Sequence, residues 1–183
     1  MIKEIVVKAY TFAEEAHGEA VRKFSGLPYF THVKFVARTL DDLHCEPDIV
    51  AAGFLHDLIE DTTITYEQIL NEFGKRIADL VKGVSNNEED MKAAGGKRLY
   101  LAKKIAEMDE GCLTIKLADR YHNVLFLEHD STPKEFIEKY YKETKFILFA
   151  LEQTDKILTE VQSALIKRIE AILEFLRIRY FLK

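Results

Sequence analysis

Apolar residues recur at three- and four-residue spacing along nearly the whole chain. Between Ile2 and Ala20, the positions Ile5, Val6, Ala9, Phe12, Ala13 and Ala16 fall on one helical face. The segment RKFSGLPYF breaks that rhythm with Ser25-Gly26 and Pro28 and predicts a turn or loop. A second helix is predicted from Thr31, which can cap it, to about Leu43, with Val33, Val36, Ala37 and Leu40 facing inward. Pro47 opens a third at a first-turn position. Thr65 with Gln68 three residues on forms a capping-box pattern that starts a short helix ending near Gly74. Lys75 to Asn86 reads as the next helix. SNNEEDMKAAGG, with few large apolar residues and two adjacent glycines, reads as a loop. Further helices are predicted over Lys97–Met108 and Leu113–Leu127, then a long one from Pro133 and an amphipathic one from Thr154 to the end. Strand-like alternation and internal repeats of useful length are lacking. The pattern predicts one all-α domain over residues 1–183.

Composition narrows what that domain does. Hydrophobic residues make up 48% and charged residues 31% of the 183, as in ordinary globular proteins. A formal net charge of −5 gives no general attraction to nucleic acid or an anionic membrane. No uninterrupted apolar run approaches the roughly 20 residues that span a bilayer, and acidic residues enter the N-terminal segment too early for a signal peptide. Cys45 and Cys112 have no motif spacing, which suits a reduced, cytoplasmic setting. The expectation is a cytoplasmic protein with neither nucleic-acid nor membrane partners.

The chemistry concentrates in AAGFLHDLIEDT, residues 51–62. On a continuous helix, with His56 at zero, Glu60 lies about 40° away, Asp57 about 100° and Asp61 about 140°. Leu58, Ala51, Leu55, Ile59 and Ala52 fill the opposite arc, and Gly53 leaves space one turn before the stripe. A solvated face is the commoner meaning of such a stripe, yet the apolar flanks place this helix deep, where unpaired carboxylates are costly. His56 and Asp57 can reach one cation, and an imidazole–carboxylate mix suits a first-row divalent metal. Glu60 and Asp61 can then orient or deprotonate a water.

Other ligands must come from elsewhere. His32 begins the second helix directly after the loop. Asp119, in IKLADRYHNVL, sits in a buried helix where an unpartnered Asp is costly, with Lys116 and Asn123 on its face. Arg22-Lys23 is the basic pair beside the ligand loop, and a guanidinium suits phosphate clamping or base stacking. Plainer roles fit the remainder. His17 reads as a packing residue, His44 and His129 as exposed, and Cys112 as a small buried residue without a base to activate it. Leu165, Ile166, Ile169, Ile172, Leu173 and Leu176 form a stripe that reads as packing on the domain, with a homodimer seam as its alternative.

Four blocks, AHGEAVRKFSGLPYFTH, AAGFLHDLIEDT, FGKRIADLVKGVSN and IKLADRYHN, resemble the HD phosphohydrolase superfamily. Within it, they look like the hydrolase domain of RelA/SpoT-type alarmone enzymes, including metazoan SpoT homologues. The resemblance runs from about Ile5 to Leu127. It implies the helical HD fold and one metal, commonly Mn2+, held by His32, His56, Asp57 and Asp119. It further implies that Glu60 and Asp61 position and activate the attacking water. Arg22, Lys23 and Ser25 would grip the nucleotide, with Asn123 and Tyr29 near its ribose or base. The implied reaction is hydrolysis of the 3′-pyrophosphate of ppGpp or pppGpp to GDP or GTP and pyrophosphate, ending a stringent-response signal. The larger family members append synthetase and regulatory domains that do not fit in 183 residues, so a stand-alone alarmone hydrolase is expected.

Three departures from the family pattern bear on the substrate. Phe24 stands between Lys23 and Ser25, GVSN lacks the Lys of the usual GVTK, and Phe126 replaces a Thr close to the base pocket. Lys97 and Arg98 could supply phosphate contacts in its place. Phe126 opens ppApp as an alternative substrate, beside NADPH or another nucleotide. A nucleotide-binding module without turnover is a further alternative, which the intact Glu60-Asp61 pair opposes.

Overall fold

The computed structural model describes residues 3–128 and 131–182, so His129 and the chain ends lie outside the described residues. Among the described residues there are eleven helices and no strand beyond one isolated Val21–Pro28 bridge. The all-helical expectation therefore holds. None of these helices is long and apolar enough to cross a membrane.

α1 (Glu4–His17) and α2 (Phe30–Asp42) flank a tight hairpin loop. Arg22 N–H donates to Leu27 O at 2.9 Å and Tyr29 N–H to Ala20 O at 2.7 Å, while Gly26 turns the chain at φ +65°. That closure fixes the exits of Arg22 and Tyr29. α2 begins one residue before Thr31, whose hydroxyl donates to Pro28 O and caps nothing.

α3 (Pro47–Leu55) carries Pro47 in its first turn, as expected, and is buried from Val50 onward. It packs on α1 and α2, where a Cβ on Gly53 would stand 2.7 Å from Leu40 Cδ1 and 3.3 Å from Ala37 Cα. Gly53 thus permits close helix contact; it does not open space above the polar stripe. The stripe itself is not one helix. α3 stops at Leu55, His56 and Asp57 form a turn, and α4 (Leu58–Asp61) follows as a single short turn. Asp57, at φ −98° and ψ −4°, is the residue from which α4 starts.

α5 (Tyr66–Phe73) starts with the expected Thr65–Gln68 capping box, and α6 (Lys75–Val84) ends two residues before the predicted Asn86. The predicted loop contains α7 (Glu88–Ala93). Asn87 caps it, accepting from the N–H groups of Glu89 and Asp90, and acidic residues fill its first turn. It buries nothing, so apolar periodicity could not reveal it.

α8 (Lys97–Glu107) matches its prediction closely. α9 (Glu110–Leu125), capped by Asp109, starts three residues earlier than predicted and is buried from Cys112 through Arg120. α10 (Lys134–Glu152) follows Pro133, and α11 (Glu160–Tyr180) begins at a second capping box, Thr159–Gln162, six residues after the predicted Thr154. The α11 stripe packs against α9 and α10 with Leu165, Ile169, Leu173 and Leu176 buried. The core centres on α3 and α9, which meet α1, α2, α6, α10 and α11 between them. Tyr10 adds edge-on contacts to Phe30 and Phe54, at 4.9 and 5.6 Å between ring centres.

Candidate active site

Where α2, the α3–α4 turn and α9 meet, His32, His56, Asp57 and Asp119 converge, all less than 10% exposed. His32 Nε2 lies 3.4 Å from Asp57 Oδ2 and 3.3 Å from Asp119 Oδ1. His56 Nε2 lies 3.2 Å from Asp57 Oδ1 and 3.9 Å from Asp119 Oδ1. Three of these residues, His32, His56 and Asp119, present donor atoms within 4.8 Å of one another, a spacing that could hold a metal ion. Asp57 completes the ring through both of its oxygens.

The back of each donor is tied down. His56 Nδ1 lies 2.9 Å from the carbonyl of Gly53, one turn earlier in α3. Tyr29 donates its hydroxyl to Asp57 Oδ2 at 2.7 Å. Asn123 donates to Asp119 Oδ1 at 2.5 Å, and the Lys116 ammonium stands 3.2 Å from Asp119 Oδ2. Asp119 therefore has protein partners of its own, the two residues that share its helix face. One atom is left over. His56 Nε2 is buried without a hydrogen-bond partner, because its approach to Asp57 is close but misaligned. An orphaned nitrogen facing two carboxylates fits a cation, since a buried polar group without a partner is otherwise costly.

The electrostatics agree with that donor chemistry. Burial alone would raise the carboxyl of Asp57, but His56 and His32 outweigh it and hold it well below the usual range. Burial is likewise overcome at Asp119, where Lys116 and the two histidines keep the group ionised. Burial lowers His56, yet Asp57 and Asp119 bring it up to about 9 in the metal-free protein. The two carboxylates are already anionic, as a divalent ion requires, and ion binding would displace the proton that they hold on His56.

Glu60 and Asp61 sit on the exposed turn of α4, beyond the ring. The Glu60 carboxylate accepts from Asn86 Nδ2 at 3.0 and 3.2 Å, and the Asp61 N–H donates to Asp57 O at 2.9 Å. The break at His56-Asp57 turns these acids to the solvent side of the cluster.

Beside the ring opens a cavity of about 460 Å³ that Arg22, Lys23, Ser25, Tyr29 and Asn123 all line. Phe24, Phe35, Phe126, Phe136 and Tyr140 make its walls aromatic. Arg22 Nη2 donates to Asn123 Oδ1 at 3.1 Å, so the loop arginine is anchored on α9. Ser25 accepts from the Leu27 N–H within the turn, and the Tyr29 hydroxyl is committed to Asp57. Phe126 is 49% exposed and packs on His122 and Phe35. Arg98 lies over the Phe146 ring, outside this cavity.

His122 and Asn86 escaped the sequence reading. His122 is buried, with Nδ1 2.7 Å from His32 Nδ1 and 3.1 Å from Arg22 Nη1, and burial together with His32 and Arg22 pushes it down to about 2. A histidine three residues after a candidate ligand on a buried helix was the available signal. Asn86 stands where the resembling enzymes carry a lysine, and its bond to Glu60 joins residues far apart in the chain. The plainer assignments stand better. His17 is buried and stacks on Tyr29, His44 is exposed, and burial pushes the thiols of Cys45 and Cys112 up to about 11 and about 12.

A His–Asp cluster walled by the helices of an all-α frame makes this an HD-type protein. Residues 9–151 match the HD domain family, and the chain belongs to it. It is 37% identical over 154 residues to a probable guanosine-3′,5′-bis(diphosphate) 3′-pyrophosphohydrolase of Synechocystis sp., covering 80% of this chain and 20% of the relative. It is 41% identical over 125 residues to a guanosine-3′,5′-bis(diphosphate) 3′-pyrophosphohydrolase of Aquifex aeolicus, covering 66% and 17%. The chain thus spans about a fifth of the length of these curated relatives. Its fold matches that of a metazoan SpoT orthologue described as hydrolysing ppGpp, with a TM-score of 0.80 at 22% identity, over 94% of this chain and 96% of that one.

Proposed function

We propose that this chain is a divalent-metal-dependent hydrolase that removes the 3′-pyrophosphate of guanosine tetra- or pentaphosphate, giving GDP or GTP and pyrophosphate. The observation that carries this reading is continuity. The ring adjoins an aromatic cavity with a basic rim, whose lining residues Tyr29, His122 and Asn123 lie within bonding distance of Asp57, His32 and Asp119. In this reading residues 1–183 act as one hydrolase domain in the cytoplasm.

His32, His56, Asp57 and Asp119 would hold one ion, and a mixed imidazole–carboxylate set suits Mn2+. When bound, such an ion supplies Lewis-acid charge and acidifies a water. The chain's residues do the rest. Glu60, steadied by Asn86, and Asp61 stand on the solvent side, where a carboxylate can orient a water and accept its proton. Arg22 and Lys23 offer charge to the phosphates, while the aromatic walls offer surfaces for a base. Buried Lys116 keeps Asp119 anionic.

Phe126 favours a second substrate reading. An apolar ring where the resembling enzymes carry a hydroxyl leaves less to distinguish guanine from adenine, which admits ppApp or NADPH. The test is incubation of the purified chain and Mn2+ with ppGpp, ppApp and NADPH, with separation of pyrophosphate from orthophosphate. Pyrophosphate with GDP is the expected product of ppGpp. Survival of both ppGpp and ppApp overturns the reading, and orthophosphate from NADPH alone moves the chain to a different phosphohydrolase class.

A further inference from the structure

The two histidines of the ring are oriented by different means. For His56 the device is a backbone carbonyl. Gly53 O can only accept, so His56 Nδ1, 2.9 Å away, keeps its proton and Nε2 is the nitrogen that can bind an ion. His32 has no carbonyl in that position. Its Nδ1 faces the Nδ1 of His122 at 2.7 Å, and two ring nitrogens can bond only if one of them is protonated.

Arg22 decides which one. A guanidinium has donors and no acceptor, and Arg22 Nη1 lies 3.1 Å from the same His122 nitrogen. His122 Nδ1 is therefore the acceptor, and its proton resides on Nε2. His32 Nδ1 must then be the donor. Its Nε2, 3.3 Å from Asp119 and 3.4 Å from Asp57, is freed for a cation. The plane of His122 is held by Phe35, 4.6 Å between ring centres, and by Phe126, 4.5 Å away at 30°. We infer that His122 is a positioning residue: a neutral Nε2–H imidazole, packed against two phenyl rings that also touch each other, that fixes the tautomer and direction of the His32 ligand. The inference rests on the reading that a divalent cation occupies the ring.

Two measurements on the full chain test it. Nitrogen-15 spectra of the metal-free protein should show His122 protonated at Nε2 only and His32 protonated at Nδ1. In Mn2+ titrations, His122→Ala should weaken binding by about 10- to 100-fold, the range seen when a ligand loses its outer partner. His122→Asn, whose Oδ1 replaces the acceptor, should recover affinity to within about threefold of wild type. Rescue separates an acceptor role from packing, because Asn has no ring to replace the aromatic contacts with Phe35 and Phe126. His122 protonated at Nδ1, an Ala variant that binds like wild type, or an Asn variant as weak as Ala would each overturn the inference. The expected tautomers in a wild-type chain that takes up no Mn2+ would uphold the tautomer assignment and overturn the functional reading instead.

Discussion

Helix α9 buries charge on two sides, and the two sides end differently. On one, Arg120 donates to Glu143 Oε1 at 3.0 Å and to Thr144 Oγ1 at 3.4 Å, with the Tyr140 ring 4.7 Å below its guanidinium. Both charged groups are buried, and neither leaves a buried polar atom without a partner. On the other, Lys116 and Asn123 both bond Asp119, but the ring that Asp119 joins still contains the orphaned Nε2 of His56. Charge alone does not separate a structural pair from a site. On α9 completeness does: the Arg120 side closes on itself, and the Asp119 side leaves a ligand-type nitrogen facing two carboxylates.

The sharpest way to break this comparison is to remove a charge from each side. Asp119→Asn keeps the shape of the side chain, yet it should release the metal and lower turnover by at least about 10⁴-fold, or ~5.5 kcal/mol. Retained metal in that variant, read by elemental analysis, contradicts a ligand role. On the closed side, Glu143→Gln should cost roughly 3–5 kcal/mol of stability, because it strands a buried guanidinium. Metal content and turnover per folded molecule should not change. Replacing both partners, as Arg120→Met with Glu143→Leu, should return stability to within about 1–2 kcal/mol of wild type in urea unfolding. A single variant as stable as wild type would show that the pair contributes little.

Smaller changes divide the open side further. Glu60→Gln with Asp61→Asn should leave metal affinity intact and slow turnover by about 10²- to 10³-fold, since these acids handle the water and do not bind the ion. Loss of metal would instead put them in the ring. The smallest effect belongs to His17, which burial holds below its ordinary pKa. The unfolded chain then binds a proton near pH 6.5 that the folded chain refuses, so stability falls as pH drops below that point. The slope is at most ~1.4 kcal/mol per pH unit for one group. His17→Phe, which keeps the stack on Tyr29, should flatten that part of the metal-free stability profile, and an unchanged profile would assign the slope to other groups.

What the sequence allowed one to read follows the same division. Long periodic helices and the capping box at Thr65 were legible because their signals are local. His32, His56, Asp57 and Asp119 could be named as candidates because polar residues on buried faces stand out. The break between His56 and Asp57 could not, since LHDLIED keeps helical periodicity across it. Nor could the Arg120–Glu143 pair, which joins residues 23 positions apart. His122 was hidden by its neighbours: Asp119 and Asn123 explained the polar face of α9, so a third group on it drew no question. Its role appears only when the loop brings Arg22 to the same nitrogen.

The claim that the open side of α9 is completed by a cation has one direct measurement. Mn2+ titrated into the metal-free chain should give an electron-spin-resonance signal of one tightly bound ion per chain, with hyperfine coupling to two imidazole nitrogens, His32 and His56. The coupling should persist in Glu143→Gln and vanish in Asp119→Asn. A spectrum of freely hydrated Mn2+ in the wild-type chain, or bound Mn2+ without nitrogen coupling, would contradict the account.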